Sequence, residues 1–130
     1  MKIHHIGYIV KNIKKAVSDF IALGYELESE CIYDEYRKIE IVFLIKDGYR
    51  IELVSPKDKE SAIGSLHKKI GNSPYHICYE VSDLKKSIVE MENEGFLVTI
   101  EPQCAPAIGG ADVAFLFGSS IGMIELLEVK

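Results

Sequence analysis

The chain reads as an α+β protein built from two tandem βαβββ modules, and three observations say so. The stretch HIGYIVKNIKKAVSDFIALGYE from His5 aligns without a gap to HICYEVSDLKKSIVEMENEGFL from His76, at an offset of 71 residues. Seven positions are identical: His5/His76, Ile6/Ile77, Tyr8/Tyr79, Val10/Val81, Lys14/Lys85, Lys15/Lys86 and Gly24/Gly95. In each copy a strand-like alternation precedes a helical spacing, and further short alternating segments follow. Each copy then closes on the same triplet, Ile51-Glu52-Leu53 and Ile124-Glu125-Leu126. A repeat of this length means two copies of one supersecondary unit that bury their apolar faces together. Residues at equivalent places in the copies are related by pseudo-twofold symmetry, so two histidines can face one central point.

Lys2–Val10 alternates as a strand, with Ile6, Tyr8 and Val10 on one side and His5, Gly7 and Ile9 on the other. Asn12 is placed to cap a helix carrying the apolar stripe Ile13, Val17, Phe20 and Ile21, which Gly24 ends. Tyr25–Tyr33, Lys38–Ile45 and Tyr49–Ser55 read as three strands, the last two joined by a hairpin turn at Asp47-Gly48. They complete the first module, residues 1–56. Residues 57–74 form a linker with a short helix on Ile63, Leu66 and Ile70, closed by Gly71-Asn72-Ser73-Pro74. The second module, residues 75–130, repeats the order: strand Tyr75–Val81, cap Asp83, a helix on Leu84, Ile88 and Met91 that stops at Gly95, then strand Phe96–Ile100. Gln103–Gly110 reads as a loop, and Ala111–Phe117 and Met123–Val129 as the last two strands. The expectation is one domain of two strongly curved four-stranded sheets, each with a helix on its outer face.

At 130 residues the length suits one domain, and 48% apolar residues is ordinary for a globular chain. A net charge of −5 argues against a nucleic-acid partner, since phosphate binding needs a basic face. The lysine pairs at 14–15, 68–69 and 85–86 read as solvated helix faces. No apolar run reaches the roughly 20 residues needed to span a bilayer. Met1 is followed almost at once by a strand, so no secretory leader is read. Cys31, Cys78 and Cys104 form no C-x-x-C pair and read as reduced thiols of a cytoplasmic protein.

In each module the last strand carries a glutamate inside an apolar run, a costly place for an ionised carboxylate without a partner. Alternation puts Glu52 on the side opposite Ile51 and Leu53. With those two packed on the helix, Glu52 shares the concave face with His5, and the same argument joins Glu125 to His76. Two imidazole nitrogens and two carboxylate oxygens in one cavity make a divalent-metal site, suited to zinc, nickel, cobalt, manganese or ferrous iron. A single strand histidine is ordinarily structural; here four residues occupy matched places in two repeats. His4 has the opposite parity, with Tyr75 at its equivalent position, and reads as structural. His67 reads as solvent-exposed, and Phe43, Phe115 and Phe117 as core. Tyr33, Tyr36, Arg37 and Lys38 cluster at the start of a strand, where Arg37 can grip a carboxylate or phosphate through two hydrogen bonds. Gly109-Gly110 brings flexibility and backbone donors.

The segments HHIGYIVKNI, YRIELVSP, YHICYEVSDL and IGMIELLE resemble the vicinal oxygen chelate (glyoxalase/bleomycin resistance/dioxygenase) superfamily over nearly the whole chain. The likeness is strongest to its small glyoxalase I and methylmalonyl-CoA epimerase branches. It implies a glyoxalase-like fold, in which two βαβββ modules form a cupped, curved mixed sheet around a metal site. The ligands it implies are His5, Glu52, His76 and Glu125, the four that parity selects. They would hold one divalent ion, with nickel, cobalt or zinc ahead of manganese or iron. The implied chemistry is Lewis-acid stabilisation of an enediolate or enolate while a nearby carboxylate moves a proton. The glyoxalase I branch gives that role to Glu52 and Glu125. The epimerase branch implies a further glutamate on the third strand of the first module, by position Glu40, with Ile39 and Ile41 opposite it and its carboxylate facing the cup. Gly109 and Gly110 lie where members of the family close a loop over substrate, and they join Tyr36 and Arg37, near the expected cup mouth, as the candidate substrate contacts. A homodimer is expected, as is common in the family.

The expected function is a metal-dependent, glyoxalase I-like lyase. It would convert the hemithioacetal of methylglyoxal and a thiol to a lactoyl thioester by 1,2-proton transfer. Methylmalonyl-CoA epimerase is the alternative. The run APAIGGADVAFLF before IGMIELLE looks closer to short bacterial glyoxalase I, and Pro74-Tyr75-His76 stands where many epimerases carry G-x-H-H. Ser61-Ala62-Ile63 resembles the epimerase linker. A non-catalytic small-molecule-binding resistance protein would share the fold without the four ligands. A ring-cleaving dioxygenase would need two histidines and only one carboxylate. Either enzymatic reading takes a small-molecule thioester or thiol adduct as substrate.

Overall fold

Two strand–helix repeats set the frame of the chain, which a computed structural model describes in full from Met1 to Lys130. In chain order the elements are β1 (Lys2–Ile9), α1 (Ile13–Ala22), β2 (Glu26–Leu27), β3 (Ile32–Asp34), β4 (Ile39–Lys46), β5 (Tyr49–Pro56), α2 (Gly64–Ile70), β6 (Ser73–Val81), α3 (Leu84–Asn93), β7 (Leu97–Ala105), a 3₁₀ turn (Pro106–Ile108), β8 (Ala111–Gly118) and β9 (Gly122–Glu128). The class is the α+β one expected, with nine strands, three α-helices and mixed strand pairing. No helix is long and apolar enough to cross a membrane.

The two helix starts and ends are copies of each other. Asn12 Oδ1 accepts the Lys15 N–H at 3.0 Å, and Asp83 Oδ1 accepts the Lys86 N–H at 3.1 Å. Each cap satisfies a helix N–H that has no partner within the helix. At the other ends Gly24 (φ 101°) and Gly95 (φ 97°) take the left-handed turn that favours glycine. The N–H of the following residue then returns to a helix carbonyl, Tyr25 to Phe20 and Phe96 to Met91, both at 3.1 Å.

The chain divides into two compact units: residues 5–75, and residues 76–130 with residues 1–4. In the first unit the strand order is β2-β4-β5-β1, with β3 also on β4. β1 runs parallel to β5 and the other pairs are antiparallel. Ile13, Ala16, Val17 and Phe20 of α1 pack on Val42, Leu44, Ile51 and Leu53. In the second unit the order is β6-β9-β8-β7, with β6 parallel to β9. Leu84, Ile88 and Met91 of α3 pack on Ala114, Leu116, Ile124 and Leu126. Leu53 and Leu126, in the matching triplets, are both fully buried.

Three expectations need correction. Tyr25–Tyr33 is not one strand, because β2 and β3 are separated by a bulge. The N–H groups of Glu28 and Ser29 both donate to the Phe43 carbonyl, and Ser29 Oγ accepts the Phe43 N–H at 2.9 Å. A side chain thus takes the place of a ladder partner. The segment from Gln103 is not all loop: β7 runs to Ala105, with register shifts around Ile100. Pro102 is tolerated there because β7 is the edge strand. His67 is half-buried rather than exposed, with Nε2 3.0 Å from Asn72 Oδ1, which also accepts the Lys11 N–H.

Candidate functional site

Register in the first unit decides which side chains share a face. Gly7 of β1 and Phe43 of β4 both stand opposite Glu52 of β5. His5, two residues before Gly7, therefore lies on the Glu52 face, with Ile39, Ile41 and Phe43. Ile51, Leu53, Val42 and Leu44 turn to α1 instead. His5 and Glu52 are 1% and 6% exposed, and His5 Nε2 is 3.4 Å from Glu52 Oε1. The Phe43 ring meets the imidazole edge-on, with centroids 5.5 Å apart.

The second unit builds the same thing. Cys78 of β6 and Phe115 of β8 both stand opposite Glu125 of β9. His76, two residues before Cys78, joins that face. His76 and Glu125 are 4% and 3% exposed, with His76 Nε2 3.0 Å from Glu125 Oε1. Phe115 meets His76 edge-on at 5.2 Å.

Each unit thus presents one imidazole nitrogen beside one carboxylate oxygen, both desolvated. A buried carboxylate is held in place by a cation, a proton or strong donors. Borderline divalent ions take this mixture of nitrogen and oxygen donors, so the residues present fit such an ion. The aromatic wall was missed at the level of sequence. Its signal was a phenylalanine nine residues before Glu52 and another ten residues before Glu125, in the penultimate strand of each module.

Glu40 requires correction. It stands opposite Tyr33 on one side and Ser55 on the other, at the parity of Val42 and Leu44. Its side chain therefore leaves the sheet on the face away from His5 and Glu52. There its carboxylate lies 2.7 Å from Lys57 Nζ and accepts from Cys31 Sγ at 3.7 Å. Partial burial and then the Glu40 charge push the Cys31 thiol above its ordinary value.

The remaining candidates divide by position. Tyr36 is 77% exposed. Arg37 is held by Asp34, whose Oδ2 is 2.6 Å from Arg37 Nη1 and whose Oδ1 accepts the Arg37 N–H at 3.0 Å. Asp34 is 2% exposed and stands opposite Ile39, so it belongs to the His5 face. Gly109 and Gly110 follow the 3₁₀ turn with φ of 63° and 79°, and the Gly110 N–H donates to the Ala105 carbonyl. With His4, Glu80, Asp112 and Leu127 they line a cavity of about 480 Å³. Glu80 and Leu127 stand opposite each other on the face that carries His76 and Glu125. Phe117, expected in the core, is 43% exposed.

Comparison with known proteins meets this geometry at the level of family. The model described as the glyoxalase/bleomycin resistance protein/dioxygenase superfamily matches residues 4–117. The mitochondrial methylmalonyl-CoA epimerase of Homo sapiens is 22% identical over 128 residues, covering 96% of this chain and 72% of that protein. A crystal structure of a hypothetical protein from Bacillus halodurans C-125 superposes with a TM-score of 0.87 at 29% identity, covering 99% of this chain and 94% of the other. Methylmalonyl-CoA epimerase from Mycobacterium tuberculosis superposes at 0.85 and 22% identity, covering 99% and 88%. A single-residue variant of the Streptomyces coelicolor methylmalonyl-CoA epimerase, in complex with 2-nitronate-propionyl-CoA, superposes at 0.85 and 21% identity, covering 98% and 94%. The Homo sapiens, Mycobacterium tuberculosis and Streptomyces coelicolor proteins are named for the reaction held as the alternative, not for the hemithioacetal reaction that the sequence favoured.

Proposed function

Within the glyoxalase/bleomycin resistance protein/dioxygenase superfamily, to which this chain belongs, we propose that it acts as an isomerase on methylmalonyl-CoA. The reaction moves the proton on the carbon between the thioester and the carboxylate. The observation that carries this reading is the buried His–Glu pair, built once in each unit of a chain whose named relatives are epimerases.

The proposal assigns one divalent cation to His5, Glu52, His76 and Glu125 together, with nickel, cobalt or zinc ahead of manganese or iron. When bound, it would supply Lewis-acid polarisation of two neighbouring substrate oxygens. The chain's own residues do the rest. Phe43 and Phe115 hold the imidazoles edge-on and keep water from them. Epimerisation takes a proton from one side of a carbon and returns one to the other. A repeat supplying one carboxylate per unit, Glu52 and Glu125, suits that two-sided transfer. Gly109 and Gly110, on the cavity wall, and Tyr36 are the proposed substrate contacts. The reading includes a cytoplasmic homodimer.

The test is interconversion of the two methylmalonyl-CoA epimers by metal-reloaded protein, run beside the methylglyoxal–glutathione hemithioacetal. Epimerisation without lactoyl thioester formation is expected. The reverse result would replace this reading with glyoxalase I.

A further inference from the structure

Asp34 is a buried carboxylate that the proposed proton transfer does not use. It stands opposite Ile39 on the face shared with Ile41, Phe43 and Glu52, and it is 2% exposed. Both its oxygens are committed to one residue, Oδ1 to the Arg37 N–H at 3.0 Å and Oδ2 to Arg37 Nη1 at 2.6 Å. The clamp closes a tight turn in which Lys38 adopts φ 54° and the Lys38 carbonyl accepts the Lys57 N–H. An exposed ion pair in such a turn would be worth little. Burying the acid instead fixes the plane of the guanidinium and removes much of the entropy that a long cationic side chain loses on binding. Arg37 keeps 17% side-chain exposure at the end of this face. Ile39, opposite Asp34, and Phe43, opposite Glu52, are four residues apart on β4, so the Asp34 clamp lies about 13 Å along the sheet from Glu52, at roughly 3.3 Å per residue. That is too far for the reacting carbons and suits the carrier end of a thioester.

We propose that Arg37, oriented by Asp34 as a positioning residue, anchors the anionic end of the substrate's thiol carrier. This deepens the reading above and rests on it. The chemistry recognised is a phosphate or carboxylate gripped by a planar fork. It would come from the phosphates of a coenzyme A thioester or from a carboxylate of a glutathione adduct.

The experiment is equilibrium binding of two unreactive probes, propionyl-CoA and S-methylglutathione, to wild-type, Arg37→Ala, Arg37→Lys and Asp34→Asn proteins. Binding is read by calorimetry at low and high salt, with thermal melts alongside. Arg37→Ala should weaken propionyl-CoA about ten- to hundredfold and flatten its salt dependence. Arg37→Lys should restore part of the affinity, and Asp34→Asn, which keeps the arginine, should weaken it less than the alanine variant does. The same pattern on S-methylglutathione alone would keep the anchor and make the carrier a thiol peptide. Equal affinity of wild-type and Arg37→Ala for both probes overturns the proposal, and so does a wild-type protein that binds neither. Tight, arginine-dependent binding without epimerase turnover would keep the anchor and sink the assigned reaction.

Discussion

Phe43 stands directly across the β4–β5 ladder from Glu52, and its ring meets His5 edge-on. Phe115, Glu125 and His76 repeat the arrangement. Ring, acid and imidazole form one three-strand device, made once by each half of the sequence. A metal-binding role predicts that both copies matter and that their losses are comparable.

Replacing His5, Glu52, His76 or Glu125 with Ala should each sharply lower metal retained after dialysis, measured by elemental analysis. Removing one partner also leaves the other polar group buried without it, so each metal-free variant should be less stable to urea unfolding by about 1–3 kcal/mol. A variant that keeps both metal content and activity is not a ligand.

Glu40→Gln should leave epimerisation at the wild-type level, because the register turns Glu40 away from Glu52. Loss of the Lys57 pair at this half-exposed position costs at most about 1 kcal/mol. Loss of turnover in a stably folded Glu40→Gln protein would contradict the assignment of faces.

Cys31 should alkylate slowly near neutral pH and speed up only above the pH at which an ordinary thiol does. Its ionisation is pushed up by partial burial and then by Glu40. A raised value means less thiolate at a given pH. Glu40→Gln removes the second of these causes, so iodoacetamide labelling of the Cys31 peptide at pH 8 should become faster. No change would mean that the carboxylate does not reach the thiol.

Gly118→Ala should destabilise the second unit by about 1–3 kcal/mol in urea unfolding. A Cβ there would lie 2.5 Å from Phe96 Cε2. Asn12→Ala and Asp83→Ala should each cost about 1 kcal/mol through the lost caps. Gly118→Ala with wild-type stability would mean that the Phe96 ring moves aside without cost.

Much of this was legible in the amino-acid order. The caps Asn12 and Asp83, the terminating Gly24 and Gly95 and the pairs His5–Glu52 and His76–Glu125 all follow from local spacing, which a repeat states twice. Glu40 was misread because alternation within one strand tells which residues share a side, not which side faces the site. That needs the register of β4 on β5, which pairs Phe43 rather than Glu40 with Glu52. The break between β2 and β3 depends on Ser29 Oγ meeting Phe43, fourteen residues away in sequence. Pro102 disguised the continuation of β7. Asp34 had no signal in the sequence, since its role rests on burial and on the pairing of β3 with β4, which local spacing does not state.

The most direct measurement is incorporation of solvent deuterium at the carbon between the two carbonyl groups of methylmalonyl-CoA, followed by mass spectrometry. Metal-stripped protein, metal-reloaded protein and reloaded Glu52→Gln and Glu125→Gln variants would be run side by side. The account predicts rapid exchange by the reloaded wild-type protein, little by the stripped protein, and rates lower by about a hundredfold or more in each variant. Exchange that is equally fast without metal, or unaffected by both substitutions, would contradict it.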